Sequence, residues 1–214
     1  MERPGNFPIA PEGFPFIIVG VMVTAVFAWL CWYLPAAFTL LLTLFIVFFF
    51  RNPVRTTPAG EKNVVAPADG QVIYLGDAVE PHLGKEMTKI SIFMSVFNVH
   101  VNRAPVTGRV LDSFYISGKF LDVRHERATF ENEQSGLVIE TEDGRQLVVV
   151  QVAGLIARRI VCYAGKGDQL ERGKRYGLIR FGSRLDVYLP KNTDISVKMG
   201  QKTVAGETVL GILG

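Results

Sequence analysis

One Gly–Ser step, Gly182–Ser183, lies between two strand-like runs and has the residue types for self-cleavage of the chain. Glycine has no Cβ, so its carbonyl can be approached closely and its backbone can adopt conformations closed to other residues. The hydroxyl of Ser183 could therefore attack the Gly182 carbonyl and convert the amide to an ester. Elimination would then leave a pyruvoyl group in place of Ser183. The alternative is an ordinary Gly–Ser turn between strands, and such pairs are common.

Self-attack by a serine needs a general base, and histidine is the usual one. Of the three histidines, His82 and His125 lie in polar or charged stretches that are typical of exposed loops. His100 lies between Val99 and Val101 in a strand-like alternation, so its side chain should point away from both valines. His100 is therefore the candidate base, with a hydrogen-bonded structural histidine as the alternative.

Asp69 is the candidate residue to orient that base. It directly precedes Gly70, so a plain Asp–Gly turn is its alternative interpretation. The predicted constellation joins Asp69, His100 and Ser183, which are distant in sequence. Such triads depend on geometry and not on the order of residues along the chain.

Short strands are the elements predicted to position these residues. After residue 50, apolar runs of four to eight residues alternate with Gly, Pro, Asp and Asn, which favours a mainly β domain. The predicted strands are 71–75, 89–93, 108–114, 136–140, 146–152, 159–163, 184–189 and 194–199. A single weak helix is predicted at about 123–132.

Two pairs of segments repeat within this domain. Residues 66–72 and 104–110 share the pattern Ala-Pro-x-x-Gly-x-Val, and 167–173 and 200–206 share Gly-x5-Gly. Repeated strand–turn units predict a compact β-sandwich of half-barrels, like the units of biotinyl and lipoyl domains. Coincidence among common turn residues is the alternative.

The N-terminal region is apolar enough to enter a membrane. Residues 14–34 carry no charge, Pro35 follows, and 36–50 are again uncharged. About 20 apolar residues span a bilayer, whereas the second segment reaches only about 23 Å. Because proline disfavours a continuous helix, we predict a transmembrane helical hairpin broken at Pro35. Arg51 and Arg55 follow directly, so the positive-inside tendency places the main domain in the cytoplasm, at the inner membrane. A cleaved signal peptide is the alternative.

Composition bears on which partners and cofactors the protein could have. The net charge of +3 is too small and too scattered to indicate a nucleic-acid partner. Cys31 and Cys162 are the only cysteines, which predicts neither a disulfide framework nor a metal site. The sequence therefore predicts two parts: residues 1–50 as the N-terminal segment and membrane hairpin, and 51–214 as the catalytic domain.

Taken in order, several segments resemble the phosphatidylserine decarboxylase family, most closely its short prokaryotic form. They are residues 50–55, 66–70, 99–105, 132–133, 156–160 and 177–190. The resemblance runs from about residue 14 to the C-terminus. Each segment is weak alone, and the ordered set is specific.

The resemblance implies a proenzyme that cleaves itself between Gly182 and Ser183 into a β chain, 1–182, and an α chain, 183–214. These chains would form a heterodimer, and a homo-oligomer is compatible with the family. Ser183 would become the covalent pyruvate cofactor, which would act as the electron sink as a phospholipid, phosphatidylserine, loses CO2 to give phosphatidylethanolamine. Asp69 and His100 would serve cleavage, and His100 would also return the proton.

This sequence departs from the family pattern at two places near His100. Longer members often have a second histidine three residues later, where this chain has Arg103, and many have an aspartate where this chain has Asn98. Two other functions compete with the decarboxylase: a membrane-tethered lipoyl- or biotinyl-like binding module, and a membrane serine hydrolase that uses Ser183 on external substrates.

Overall fold

The computed structural model describes residues 7–125, 127–155, 159–180 and 182–214. The chain divides into two compact units, Glu2–Val54 and Arg55–Gly214. The first unit is helical and the second is built mainly of strands.

The N-terminal unit consists of helices α1 (Phe14–Trp29) and α2 (Tyr33–Phe49). The helices contact each other, and the hydroxyl of Thr24 donates to that of Thr39 at 3.0 Å. The predicted break at Pro35 is wrong, because the chain turns earlier, at Cys31, whose φ is 58°. Pro35 lies in the first turn of α2, where its missing N–H would have no helical partner in any case.

Among the described residues, one helix is long and apolar enough to cross a membrane. It runs from Pro11 to Trp29 and includes a short 3-10 turn at its start. The apolar helix α2 is shorter than that limit. Insertion of the pair in a membrane as a hairpin remains a prediction.

The second unit is mainly β, as predicted. Within the described ranges its strands are β1 (Asn63–Val65), β2 (Gly70–Glu80), β3 (Lys85–Met94), β4 (Val101–Arg103), β5 (Gly108–Ile116), β6 (Gln134–Glu140), β7 (Gln146–Ala153), β8 (Arg159–Cys162), β9 (Gln169–Leu170), β10 (Arg175–Arg180), β11 (Ser183–Leu189), β12 (Asp194–Ile195), β13 (Lys202–Thr203) and β14 (Val209–Ile212). The short helix α3 (Ala128–Glu131) precedes β6.

Eight of these described strands form one antiparallel sheet that curls into a half-barrel, in the order β13-β2-β3-β11-β7-β6-β5-β9. The remaining strands form two small sheets, β1-β14-β12 and β4-β10-β8. Strand β11 lies near the middle of the large sheet, between β3 and β7. The sheet therefore pairs both backbone edges of the strand that begins with Ser183.

Side chains of β11 alternate between two environments, as the pleat of a strand requires. Leu185, Val187 and Leu189 point into the main apolar core. Arg184 and Asp186 point to the opposite face, and both are buried there. All seven residues of the strand are buried, so both faces of the sheet are covered at this point.

The predicted repeats occupy equivalent places in the fold. The amides of Gly206 and Gly200 donate to the carbonyls of residues 66 and 72, each at 2.8 Å. The amides of Gly173 and Gly167 donate to the carbonyls of residues 104 and 110, again at 2.8 Å each. All four glycines have a φ between 78° and 94°, which other residues rarely adopt. The matched bonds argue against coincidence, and the specific likeness to biotinyl and lipoyl units remains a prediction.

Two predicted elements are much shorter than expected. The predicted strand 194–199 is formed only at β12, because the amide of Lys198 turns to bond the side chain of Gln201. The predicted helix 123–132 is reduced to α3. The carboxylate of Asp122 accepts the Arg124 amide at 3.0 Å, and such a local bond competes with helix formation.

Candidate self-cleavage site

The linkage between Gly182 and Ser183 lies at the start of β11, inside the large sheet. Ser183 pairs with Met94 of β3 on one side and Ala153 of β7 on the other, and its exposed fraction is 0%. Gly182 has a φ of 69°, in the region that favours glycine. A buried linkage of this kind is held in place by strands on both sides before any chemistry begins.

The carbonyl of Gly182 lies directly against Gly154, the residue that follows β7. A Cβ built on Gly154 would be 2.4 Å from the Gly182 oxygen and 3.3 Å from a methyl carbon of Val123. Real side chains do not approach an oxygen so closely, so this position is restricted to glycine by the backbone it faces. Gly154 therefore admits the carbonyl that Ser183 would attack.

The hydroxyl of Ser183 points toward the core and donates to the sulfur of Met94 at 3.4 Å. A thioether is a weak acceptor, so this bond holds the nucleophile without strongly competing for its proton. The same sulfur accepts from the amide of Asn102 at 3.8 Å, and Asn102 accepts from Gln151 at 2.8 Å. A buried polar chain thus continues from the serine into the core.

His100 lies at the linkage, and its exposed fraction is 1%. Its Nε2 is 3.4 Å from the amide nitrogen of Gly182, and its Nδ1 is 3.0 Å from the carbonyl oxygen of Asn98. Both contacts are satisfied when Nδ1 carries the proton and donates to Asn98, while Nε2 accepts from Gly182. Nε2 is then the acceptor for the Gly182 N–H, which belongs to the peptide directly before the scissile one.

Asp69 lies in a different set of contacts. Its Oδ2 accepts from Arg55 at 2.8 Å and its Oδ1 accepts from the amide of Ala205 at 2.8 Å. In the described part of the chain, no hydrogen bond joins Asp69 to His100 or Ser183. The structure brings His100 to Gly182–Ser183 and places Asp69 on the neighbouring turn.

The internal repeat explains one of these contacts. Thr107 occupies the position in the second repeat that Asp69 occupies in the first, and its hydroxyl accepts the amide of Arg172 at 3.1 Å. Arg172 corresponds to Ala205, since each directly precedes the second glycine of its Gly-x5-Gly segment. One oxygen of Asp69 therefore has a structural counterpart, and the second, paired with Arg55, has none.

The other two histidines make different contacts. His82 is 3.2 Å from the Asp112 carboxylate and stacks on Phe114. The main-chain amide of His125 bonds the Asp122 carbonyl in the loop before α3. Residues 156–158 and Phe181, which fall in two of the segments that resemble the family, lie outside the described residues.

A cavity of about 320 Å³ opens beside the linkage, and Gly182 is part of its wall. Its lining is mostly apolar, with Asp122 and Arg124 as its charged members, and it consists of Phe93, Met94, Ser95, Val96, Asp122, Val123, Arg124, Gly154, Leu155 and Gly182. A larger cavity of about 500 Å³ lies beside Lys89 and Tyr188 and shares Arg124 with the smaller one, and neither residue of the linkage lines it. The smaller cavity is the better candidate to bind a reacting molecule, because Gly182, which carries the scissile carbonyl, lines it.

Sequence reasoning missed a buried charged cluster directly after the linkage. Arg184 makes a two-point ion pair with Asp186, both bonds being 2.8 Å, and Lys89 contacts the same carboxylate at 3.1 Å. Burial alone would raise the pKa of Asp186, but the positive charges of Arg184 and Lys89 outweigh it and hold that pKa below its ordinary value. The sequence contains a signal for this cluster, because Arg184 and Asp186 occupy alternate positions of an otherwise apolar strand.

Asn132 is a second residue whose role only the fold reveals. It is fully buried, and its side-chain amide donates to the carbonyls of Leu121 and Ala153 at 2.8 Å each. Its carbonyl accepts the amide of Leu121 at 3.0 Å. Asn132 therefore ties the segment that walls the cavity to Ala153 at the end of β7, the residue that pairs with Ser183.

A covalent pyruvoyl group fits this site by a simple test. The group would form from Ser183 itself, so it needs no separate binding surface, only space beside that residue. That space exists, because the cavity is lined by Gly182, which precedes Ser183 in the chain, and by Met94, which pairs with Ser183 on the adjacent strand.

Comparison with known proteins identifies relatives over the whole chain. A family model described as phosphatidylserine decarboxylase matches residues 42–211. Three bacterial relatives, each named phosphatidylserine decarboxylase proenzyme, are 71% identical (Geobacter metallireducens), 69% identical (Geotalea uraniireducens) and 68% identical (Geobacter sulfurreducens). Each match covers 99% of this chain and 99% of the relative. With a buried Gly–Ser linkage at the start of a central strand and matches of this extent, the chain belongs to the phosphatidylserine decarboxylase family.

Proposed function

We infer that this chain is the proenzyme of a pyruvoyl-dependent enzyme that decarboxylates phosphatidylserine to phosphatidylethanolamine. The observation that carries the inference is the buried Gly182–Ser183 linkage with the imidazole of His100 against it, in a chain of this family. A carrier module or a serine hydrolase would need neither the restricted glycine at 154 nor a nucleophile sealed within a sheet.

We propose that cleavage proceeds by attack of the Ser183 hydroxyl on the Gly182 carbonyl carbon. The Oγ–C bond forms and the C–N bond breaks, while His100 takes the hydroxyl proton and the departing nitrogen gains one. Elimination then removes the Cα proton of Ser183 and breaks the Cβ–Oγ bond, which leaves the Gly182 carboxylate on a β chain of residues 1–182 and a dehydroalanine in place of Ser183. Tautomerisation to the imine and hydrolysis by one water molecule release ammonia and leave the keto group. The α chain, 183–214, begins with the group made from Ser183.

In the mature enzyme the pyruvoyl group supplies an electron sink for the carbon–carbon bond that breaks. The protein around it has three tasks. The apolar cavity excludes water from the reacting carbon, His100 returns a proton to that carbon, and the ladder of β11 holds the chain end in place. A cavity of about 320 Å³ takes the polar end of the lipid, while the acyl chains stay outside it.

The proposed role of Asp69 is electrostatic. The pKa of Arg103 lies below its ordinary value because burial and the nearby Arg55 disfavour the cation, and Asp69 opposes that shift. Without Asp69, Glu207 would be the remaining anion beside Arg55 and Arg103, and the region around β4, the strand that follows His100, would become more positive. We propose that this change slows cleavage because a positive field opposes a proton-accepting base. This proposal replaces direct orientation of the imidazole by Asp69.

The proposal divides the chain into residues 1–50 as a membrane anchor and 51–214 as the catalytic domain. The two apolar helices would form a hairpin in the inner membrane with the catalytic domain in the cytoplasm, in support of which Arg51 follows α2 directly. After cleavage the α and β chains remain together as a heterodimer, because β11 stays paired with β3 and β7. Association of these heterodimers into a homo-oligomer is part of the same proposal.

Substitution of the nucleophile tests the function. Ser183→Ala removes the attacking oxygen, so the purified protein should remain one chain of about 23.7 kDa without a carbonyl group. The exposed Ser113→Ala is the matched control and should give the two fragments and one hydroxylamine-reactive carbonyl per chain. Normal cleavage of Ser183→Ala, or a single intact chain in active wild-type material, contradicts the proposal.

Cysteine labelling in intact cells tests the membrane arrangement. Cys31 lies in the turn between α1 and α2 and is exposed, whereas Cys162 lies in β8. An impermeant maleimide added outside the inner membrane should label Cys31 and spare Cys162. Labelling of Cys162, or protection of Cys31 until the membrane is opened, contradicts the arrangement.

A further inference from the structure

Arg184 directly follows the scissile linkage and makes four hydrogen bonds away from it. Two of them join its guanidinium to the Asp186 carboxylate at 2.8 Å each. The other two reach the segment before β6: Nη1 donates to the carbonyl of Val123 and Nη2 to the hydroxyl of Thr129, both at 2.7 Å. With an exposed fraction of 3%, this side chain is enclosed by its partners.

The contact with Val123 connects Arg184 to the cavity. Val123 lines the same cavity as Gly182, and its methyl carbon faces Gly154, against which the Gly182 carbonyl lies. One guanidinium therefore joins the first residues of β11 to the wall of the space beside the linkage. A planar fork with fixed donor directions suits this task better than the single point charge of a lysine.

Cleavage changes what this contact must do. In the uncut chain, Ser183 is held by covalent bonds on both sides. After cleavage the bond to Gly182 is lost, and the strand ladder and the side chain of Arg184 become the contacts nearest to the new chain end.

We propose that Arg184 is a positioning residue of the mature enzyme, which seats the amino end of the α chain against the cavity wall at Val123 and Thr129. This inference rests on the proposed function. Until the chain is cut, the covalent bond to Gly182 holds Ser183 in place. Loss of Arg184 should therefore slow decarboxylation more than it slows self-cleavage.

The test compares Arg184→Lys with wild type in the full chain, using phosphatidylserine in detergent micelles and rates normalised to hydroxylamine-reactive carbonyl. Arg184→Lys should still cleave and carry the carbonyl, while kcat falls at least about tenfold and KM changes by less than about threefold, because misplacement of reacting groups acts on the chemical step. Hydrogen exchange of the cleaved protein should show lost protection at residues 123–129.

Arg172→Lys is the matched control, since Arg172 also binds main-chain carbonyls, those of Pro58 and Asn63 among them, far from the linkage. It should leave kcat per carbonyl unchanged. Equal losses in Arg172→Lys and Arg184→Lys, or a wild-type kcat in the cleaved Arg184→Lys enzyme, overturn the proposal.

A second pair of variants decides the matter if Arg184→Lys fails to fold. Thr129→Val removes one acceptor of the Arg184 guanidinium, and Thr129→Ser keeps it. Thr129→Val should lower kcat per carbonyl and Thr129→Ser should restore it, whereas identical kcat values in the two overturn the proposal. A wild-type chain that never acquires a carbonyl contradicts the proposed function instead, so the two failures are distinguishable.

Discussion

Gly154→Ala is the sharpest test of how the fold presents the linkage for cleavage. The added Cβ would lie 2.4 Å from the carbonyl oxygen of Gly182, where ordinary contact begins near 3.4 Å. The two groups must therefore separate by about 1 Å. Neither can retreat freely, since Gly154 follows β7 and Gly182 precedes β11, and those strands pair up to Ala153 and Ser183.

The size of the effect follows from this displacement. A misplacement of about 1 Å at a reacting group can cost about 100-fold in rate. We therefore expect self-cleavage of Gly154→Ala to be about 100-fold slower than that of wild type. Crowding in the core should also lower the free energy of unfolding by about 1–3 kcal/mol.

The assay is a time course of cleavage in a cell-free translation, with the α chain, residues 183–214, resolved from the intact chain by electrophoresis. Gly108→Ala is the matched control, because its Cβ would also lie 2.4 Å from a carbonyl oxygen, that of Glu140, at a place remote from the linkage. It should lose similar stability and cleave at the normal rate.

Two results would refute the reasoning about Gly154. Wild-type cleavage by a folded Gly154→Ala protein would mean that the crowding does not displace the scissile carbonyl. Equal slowing of Gly108→Ala and Gly154→Ala would mean that general destabilisation, and not the position of the carbonyl, limits the reaction.

Three further perturbations have defined outcomes. His100→Gln should slow cleavage at least about 100-fold, as expected for loss of a general base, and the same time course measures it. Asp69→Thr should keep the Ala205 contact, as Thr107 does in the second repeat, yet slow cleavage because the charge is lost; wild-type cleavage would remove the proposed electrostatic role. In the uncut Ser183→Ala background, Asp186→Asn should reduce the free energy of unfolding at pH 7 by about 3–5 kcal/mol, measured with urea. The pKa of Asp186 is lowered in the folded protein, so the charged carboxylate stabilises the fold above the ordinary value of about 3.9, and this stabilisation is lost as the pH falls through the folded pKa. The difference in unfolding free energy between the proteins without and with Asp186→Asn should therefore shrink in acid. A difference that stays constant with pH would argue against the role of the Asp186 charge.

Several parts of the fold could be predicted from residue pattern alone. Short apolar runs bounded by turn residues located most of the strands of the second unit, because those signals are local. The repeated glycine segments were also visible, and their positive φ angles explain why glycine recurs there. In the second unit the elements predicted at 123–132 and 194–199 are shorter than expected, because side chains there bond the backbone of nearby residues and override the apolar pattern.

The candidate site was only partly open to sequence reasoning. Gly182, Ser183 and His100 were recognised as residue types suited to self-cleavage, and the fold brings them together. Gly154 was not recognised, and neither were the contacts of Arg184 with Val123 and Thr129, since nothing local distinguishes a glycine that faces a carbonyl or an arginine that bonds a distant loop.

Residue type and order were enough to predict the chemistry, because a serine after a glycine, a histidine in a strand-like run and an ordered set of family segments can all be read along the chain. The tertiary structure decided the geometry: it sealed Ser183 between β3 and β7, set His100 against the Gly182 amide and placed Asp69 on Arg55 and Ala205. Such contacts join residues up to 136 positions apart. Only the pairing of strands across the sheet fixes distances of that kind, so no local pattern could have specified them.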